Sequence, residues 1–81
     1  PRYMSLAERA LSDDTLLPAA VWCAKETLYK YAGRPGLDML YDLHVEAVDF
    51  EAGVVVGRIA DGEPLRLSLK RADGFIVVYI L

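Results

Sequence analysis

The side chains best suited to chemistry lie close together between Trp22 and Lys30. Glu26 and Lys30 are four residues apart, so a helix would place a carboxylate and an ammonium one turn apart on the same face. By spacing alone, the simplest interpretation is an exposed ion pair that stabilises the helix by about 0.2–0.5 kcal/mol. Lys25 and the aromatic rings of Trp22 and Tyr29 flank this pair.

Two further residues have reactive side chains, but simpler structural roles suit both. Cys23 has no histidine near it in sequence, so we interpret it as a small packing residue rather than a nucleophile. His44, at the head of a predicted strand, could contact a phosphate, although a surface or capping role is the simpler interpretation. One cysteine and one histidine also exclude an internal disulfide and a Cys/His zinc site.

A long helix must position the segment from Trp22 to Lys30. Pro18 is tolerated in a first helical turn and Gly33 is a natural stop, so the pattern predicts a helix from about residue 15 or 16 to 32. Glu26 is predicted on its polar side. The opposite side carries an apolar stripe that we expect to face a sheet, made of Leu17, Val21, Ala24, Leu28, Tyr31 and Ala32.

A shorter helix should precede it, because Ser5 and Glu8 have the spacing of a capping box. This helix is predicted to end near Leu11. Beyond Pro35, residues 37–43 could form one or two helical turns or a loop.

The second half of the chain changes to a period of two, which indicates strands. We predict them over residues 44–50, 54–60, 65–70 and 75–81, separated by glycine-containing turns. Residues 76–81 are apolar on both faces, which is typical of a central strand or of one covered on both sides. The predicted fold class is α+β: one long helix packed on an antiparallel meander of three to four strands, with a short N-terminal helix.

Composition limits the possible classes of protein. The chain has 81 residues, 54% of them hydrophobic, so it forms one small domain and is not disordered. Nine basic residues against twelve acidic ones give a net charge of -3, which argues against a nucleic-acid-binding surface. No apolar run approaches the roughly 20 residues that span a bilayer, and no signal peptide opens the chain. We therefore expect a cytoplasmic protein.

Trp22 adds a specific signal, because a tryptophan on the polar side of a helix needs cover from a second surface. The order Trp22, Lys25, Glu26, Lys30 resembles the signature helix of the 4′-phosphopantetheinyl transferase superfamily. That signature is an aromatic residue, two residues, Lys-Glu-Ala/Ser, and a Lys four residues after the Glu. Thr27, where Ala or Ser is usual, is a mild departure.

The resemblance extends to both sides of the motif. Residues 6–12, which end in Leu11-Ser12, look like the family's short helix before an acidic segment. Residues 71–79 look like the terminal hairpin of bacterial members.

The resemblance implies transfer of the 4′-phosphopantetheine arm of coenzyme A to a serine of an acyl or peptidyl carrier protein. Adenosine 3′,5′-bisphosphate would be released. Glu26 would then ligate Mg²⁺, Lys30 would contact the coenzyme A pyrophosphate, and Lys25 would have a supporting role on a phosphate or a carboxylate. These assignments agree with the preference of Mg²⁺ for carboxylate and phosphate oxygens.

One departure from the family concerns the remaining metal ligands. Complete members carry a Gly-x-Asp segment on a strand upstream of the motif helix, and nothing before Trp22 matches it. Asp13 and Asp14 lie upstream, but in a predicted cap. We therefore expect the 81-residue chain to be the C-terminal lobe or a fragment of a two-lobed transferase. Alone it should be inactive and should pair with a missing N-terminal lobe or a second copy.

The alternative from a different class is a non-catalytic α+β interaction domain. Its apolar residues 75–81 and its exposed Trp22 would mediate self-association. This alternative explains the composition equally well, but it does not explain the spacing of Lys25, Glu26 and Lys30.

Overall fold

The computed structural model describes residues 2–80, which form two helices followed by four strands. The helices are α1 (Leu6–Arg9) and α2 (Leu17–Ala32), and the strands are β1 (Leu43–Asp49), β2 (Val54–Ile59), β3 (Leu65–Ala72) and β4 (Phe75–Tyr79). This is the predicted α+β architecture. The predicted strand end at Leu81 lies outside the described residues.

Local sequence signals explain where the helices begin and end. Ser5 and Glu8 form the predicted capping box: the Glu8 amide donates to Ser5 Oγ at 3.1 Å, and the Ser5 amide donates to Glu8 Oε1 at 2.9 Å. The α-helix ends at Arg9, two residues before the predicted end. At the end of α2, Gly33 has the left-handed conformation (φ 67°) that glycine adopts at low cost.

The strands form an antiparallel meander in the order β1-β2-β3-β4. A bulge interrupts the register of β1 between Val45 and Ala47. Gly57 on β2 lets the helix approach the sheet, because a Cβ built there would lie 2.8 Å from Leu28 Cδ1 of α2. Residues 37–42, just before β1, contain a turn closed by the Asp42 amide donating to the Asp38 carbonyl at 2.9 Å.

Helix α2 lies on one face of the sheet and contacts β1, β2 and β4. The core between them is aliphatic and is built mainly from Leu17, Ala20, Val21, Ala24, Leu28, Leu43, Val45, Val55, Leu67 and Leu69. Most of the predicted helix stripe therefore packs as expected. Tyr31 is the exception: it is 58% exposed, so its assignment to the core was wrong. It lies in the last turn of α2, where the helix stops at Gly33.

The prediction for β4 also needs correction. In the described chain β4 pairs only with β3 and is an edge strand, not a central one. Its residues alternate: Ile76 and Val78 are buried, whereas Phe75, Val77 and Tyr79 are exposed on the face away from α2. The apolar run predicted that both faces of this strand are covered. Within residues 2–80, nothing covers the face that carries Phe75, Val77 and Tyr79. Within that range, no helix is both long and apolar enough to span a membrane.

Candidate functional site

Among the described residues, Lys25 has the most enclosed charge. Its side chain is 0% exposed and its ammonium donates three hydrogen bonds. The acceptors are the Tyr3 carbonyl, Glu8 Oε1 at 2.9 Å and the Met39 carbonyl at 2.7 Å. An ammonium has three donors, so all of its hydrogen-bonding capacity is used inside the protein.

Glu8 completes this buried ion pair. Its Oε1 accepts from Lys25 and from the Ser5 amide, and its Oε2 accepts from the Val45 amide on β1 at 2.7 Å. Two charges can be buried together at tolerable cost only when their remaining donors and acceptors are satisfied, as they are here. The pair links the N-terminal segment, α1, α2, the 38–42 turn and the edge strand β1.

The predicted place of Lys25 on the exposed face beside Glu26 was wrong. The sequence pattern indicated only a capping role for Glu8 and did not predict the ion pair. A signal was present, since Lys25 follows Ala24 and precedes Leu28 by three residues, at the margin of the buried stripe. The supporting role of Lys25 toward a ligand stays a prediction.

Glu26 and Lys30 are both exposed on α2. Among the ion pairs of residues 2–80, none joins them, so the expected surface pair does not form. Both charged groups are therefore accessible to a ligand. No group of three or more Asp, Glu, His or Cys side chains that could hold a metal ion occurs within the described residues. Glu26 thus offers one carboxylate to a cation.

Trp22 lies one turn before Glu26 and is 40% exposed. Its ring meets Tyr3 edge to face, with centroids 5.1 Å apart and an interplanar angle of 68°. The Tyr3 hydroxyl donates to the Pro18 carbonyl at 3.1 Å, which fixes that ring against the start of α2. The N-terminal segment therefore covers part of the indole, while the rest faces solvent as predicted.

Cys23 and Thr27 lie on the side of α2 that meets β4. The Thr27 hydroxyl is 2.8 Å from the Cys23 carbonyl and 3.0 Å from the Val78 carbonyl. Cys23 Sγ is 4.0 Å from the Ile76 carbonyl. Partial burial, and secondarily the charge of Glu26, raises the pKa of the Cys23 thiol. A thiol with a raised pKa is a poor nucleophile at neutral pH, which supports the packing role.

The structure separates His44 from the α2 residues. His44 is half-buried on β1, between the inward-facing Leu43 and Val45, and it pairs in register with Arg58 on β2. Its side chain therefore belongs to the face of the sheet opposite α2.

A cleft of about 370 Å³ opens between the N-terminal segment and the start of α2. Its lining includes Met4, Arg9, Leu17 and Pro18, but not Glu26 or Lys30. Glu26 and Lys30 therefore lie on an open helix surface outside this cleft. The structure brings Trp22, Glu26 and Lys30 to one exposed surface and withdraws Lys25 from it.

Comparison with known proteins identifies no relative: no family model, curated protein or solved structure matches this chain.

Proposed function

We propose that this chain supplies one half of the site of a 4′-phosphopantetheinyl transferase. The substrate would be coenzyme A, and the acceptor would be a serine hydroxyl of an acyl or peptidyl carrier protein. One observation carries the proposal: Glu26 and Lys30 are exposed one turn apart, without forming an ion pair with each other, on the helix that also exposes Trp22.

Glu26 is the proposed Mg²⁺ ligand. Mg²⁺ is commonly held by one or two carboxylates together with phosphate oxygens and water, so a single exposed carboxylate fits one corner of such a site. The rest would come from coenzyme A phosphates and from a second lobe or a second copy of the chain. When bound, the ion would neutralise charge on the pyrophosphate.

Lys30 is the proposed phosphate ligand. An exposed ammonium without a carboxylate partner can form a charge-assisted hydrogen bond to a phosphate oxygen. In transfer, the serine oxygen forms the new phosphodiester bond, the bond to adenosine 3′,5′-bisphosphate breaks, and the serine proton passes to a base or to water. Lys30 would stabilise the negative charge on the departing group.

Lys25 supports the site from within the core. Its ammonium has no donor left for a phosphate while the pair with Glu8 is intact. We propose that its contribution is to hold the middle of α2 in place, one residue before Glu26.

The uncovered part of Trp22 is the proposed contact with the second lobe. The chain would then be the C-terminal lobe of a cytoplasmic enzyme, with coenzyme A between the lobes. A half-site of this kind would not catalyse transfer by itself.

The experiment is transfer of labelled phosphopantetheine from coenzyme A to a panel of apo carrier proteins by the full-length protein that contains these residues. Mg²⁺-dependent labelling of a carrier serine supports the proposal, and loss of labelling in Glu26→Gln links it to this helix. Glu63→Gln, at another exposed carboxylate, is the matched control. Absence of labelling across the panel, with the protein folded and Mg²⁺ present, would contradict the proposal.

The interaction-domain alternative keeps one specific observation in its favour. Phe75, Val77 and Tyr79 form an exposed apolar row on β4, on the face of the sheet away from α2. Such a row can bury itself in a second chain. Because the half-site proposal also uses Trp22, only the β4 row separates the two: self-association that is lost in Val77→Ser but retained in Trp22→Ser would favour the interaction domain.

A further inference from the structure

Glu26 lies between two residues that anchor α2 to different parts of the fold. On one side, Lys25 is tied to Glu8 and to the Met39 carbonyl. On the other side, the Thr27 hydroxyl reaches the Val78 carbonyl of β4 at 3.0 Å. These contacts hold α2 near both edges of the sheet, since Glu8 also accepts the Val45 amide of the edge strand β1.

The Thr27 contact is the more unusual of the two anchors. A threonine in a helix commonly bonds the carbonyl four residues earlier, and Thr27 does so with Cys23 at 2.8 Å. The single hydroxyl proton is shared between that carbonyl and the Val78 carbonyl, which belongs to an edge strand with no neighbouring strand on that side in the described chain. The hydroxyl therefore offers a donor to an edge carbonyl of β4 and joins the helix to it.

We propose that Thr27 is a positioning residue for Glu26: its hydroxyl fixes the rotation of α2 against β4 and so sets where the Glu26 carboxylate stands. This inference rests on the proposed function of Glu26. Small displacements of a positioned group can reduce a rate strongly, by about 100-fold for 1 Å. Because α2 keeps its other anchor, we expect the loss of the Thr27 contact to displace Glu26 by less than about 1 Å and to lower the rate by less than about 100-fold.

Two substitutions separate the hydroxyl from the shape of the side chain. Thr27→Val keeps the branched shape but removes the hydroxyl donor, so the Val78 carbonyl loses this hydrogen bond. Thr27→Ser keeps the donor and removes only a methyl group. The positioning role predicts that Thr27→Val is defective and that Thr27→Ser behaves like the natural chain.

The experiment measures three properties of the full-length protein, at a temperature where all variants are folded. We expect Thr27→Val to lower kcat by about tenfold, with KM for coenzyme A changed by less than about twofold. We also expect a higher Mg²⁺ concentration at half-maximal rate. Independently of activity, amide hydrogen exchange of residues 26–31 should become faster in Thr27→Val, while the β1–β2 hairpin is unchanged.

The outcomes distinguish this inference from the proposed function. Equal kcat and equal exchange in Thr27→Val and the natural chain would overturn the positioning role. So would a Thr27→Ser variant as defective as Thr27→Val. If the natural protein transfers nothing, the proposed function fails. Amide hydrogen exchange then still decides whether Thr27 anchors residues 26–31 of α2. Unchanged exchange in Thr27→Val would show that it does not.

Discussion

Lys25 Nζ lies 2.9 Å from Glu8 Oε1 in the interior of the protein, with exposed side-chain fractions of 0% and 4%. The same ammonium and carboxylate also bond backbone groups of residues 3, 5, 39 and 45. A single ion pair therefore joins four parts of the chain: residues 3–8, helix α2, the 38–42 turn and strand β1. Lys25, to which the family resemblance gave a supporting role toward a ligand, stabilises the fold on which the neighbouring Glu26 is presented.

Breaking this pair should destabilise the protein strongly. Lys25→Met leaves the Glu8 carboxylate buried without its cation, and we expect a loss of about 3–5 kcal/mol in the free energy of unfolding. Combining Lys25→Met with Glu8→Gln should cost less than the sum of the two single changes, because no uncompensated charge remains buried. Urea denaturation of the four proteins measures this coupling. Additive losses would show that the two side chains do not act as a pair.

Glu26→Gln should abolish transfer with little change in stability. Glu26 is exposed, so the substitution removes an anionic ligand without leaving a cavity. Transfer rates at several Mg²⁺ concentrations, together with thermal unfolding, test this expectation. Retention of the natural kcat and Mg²⁺ dependence would show that Glu26 is not the metal ligand.

Lys30→Ala should mainly weaken the use of coenzyme A. A hydrogen bond to a charged phosphate is worth about 1.5–3 kcal/mol, which corresponds to a loss of roughly 10- to 150-fold in kcat/KM. The melting temperature should barely change, since Lys30 forms no ion pair within residues 2–80. Lys70→Ala, at an exposed lysine on β3, is the control. Equal kcat/KM for the two variants would show that Lys30 is not a phosphate ligand.

Asp14 should contribute to stability at neutral pH and lose that contribution in acid. Its pKa lies below the usual 3.8 because the Leu16 amide, and then Arg71, donate hydrogen bonds to the carboxylate. A group with a lowered pKa in the folded state stabilises the protein above its unfolded pKa, and this stabilisation disappears as pH falls through the folded value. Asp14→Asn should therefore melt below the natural chain at pH 7, and the gap should narrow as the pH falls below 3.8. Melting temperatures between about pH 7 and 2 provide the test. A constant gap would argue against this linkage.

The 81-residue chain should self-associate, most simply as a two-fold dimer, through the surface that exposes Trp22. Trp22→Ser should shift it to a monomer in sedimentation equilibrium, whereas Phe75→Ser on the opposite face of the sheet should not. A monomer at high micromolar concentration would contradict the expectation. The dimer should also lack transferase activity, so robust transfer by these residues alone would contradict the half-site proposal.

Local sequence was sufficient for most of the secondary structure. The capping box of Ser5 and Glu8, the stop at Gly33, and the alternation of Leu65, Leu67 and Leu69 each depend on residues within a few positions of one another. Helical periodicity was likewise enough to place Glu26 on the exposed side of α2. These features follow from backbone geometry, which repeats over one turn or one pleat.

Tertiary structure decided the features that depend on distant segments. Periodicity shows which helix residues share a face, but not how wide the buried face is. Lys25 is buried because α1 and the 38–42 turn close over the margin of the stripe. For β4, apolar residues on both faces did not reveal that the strand is at an edge, because strand order is set by pairing along the whole meander. The Glu8–Lys25 pair and the contact from Thr27 to Val78 span 17 and 51 residues, distances over which local sequence patterns carry no information.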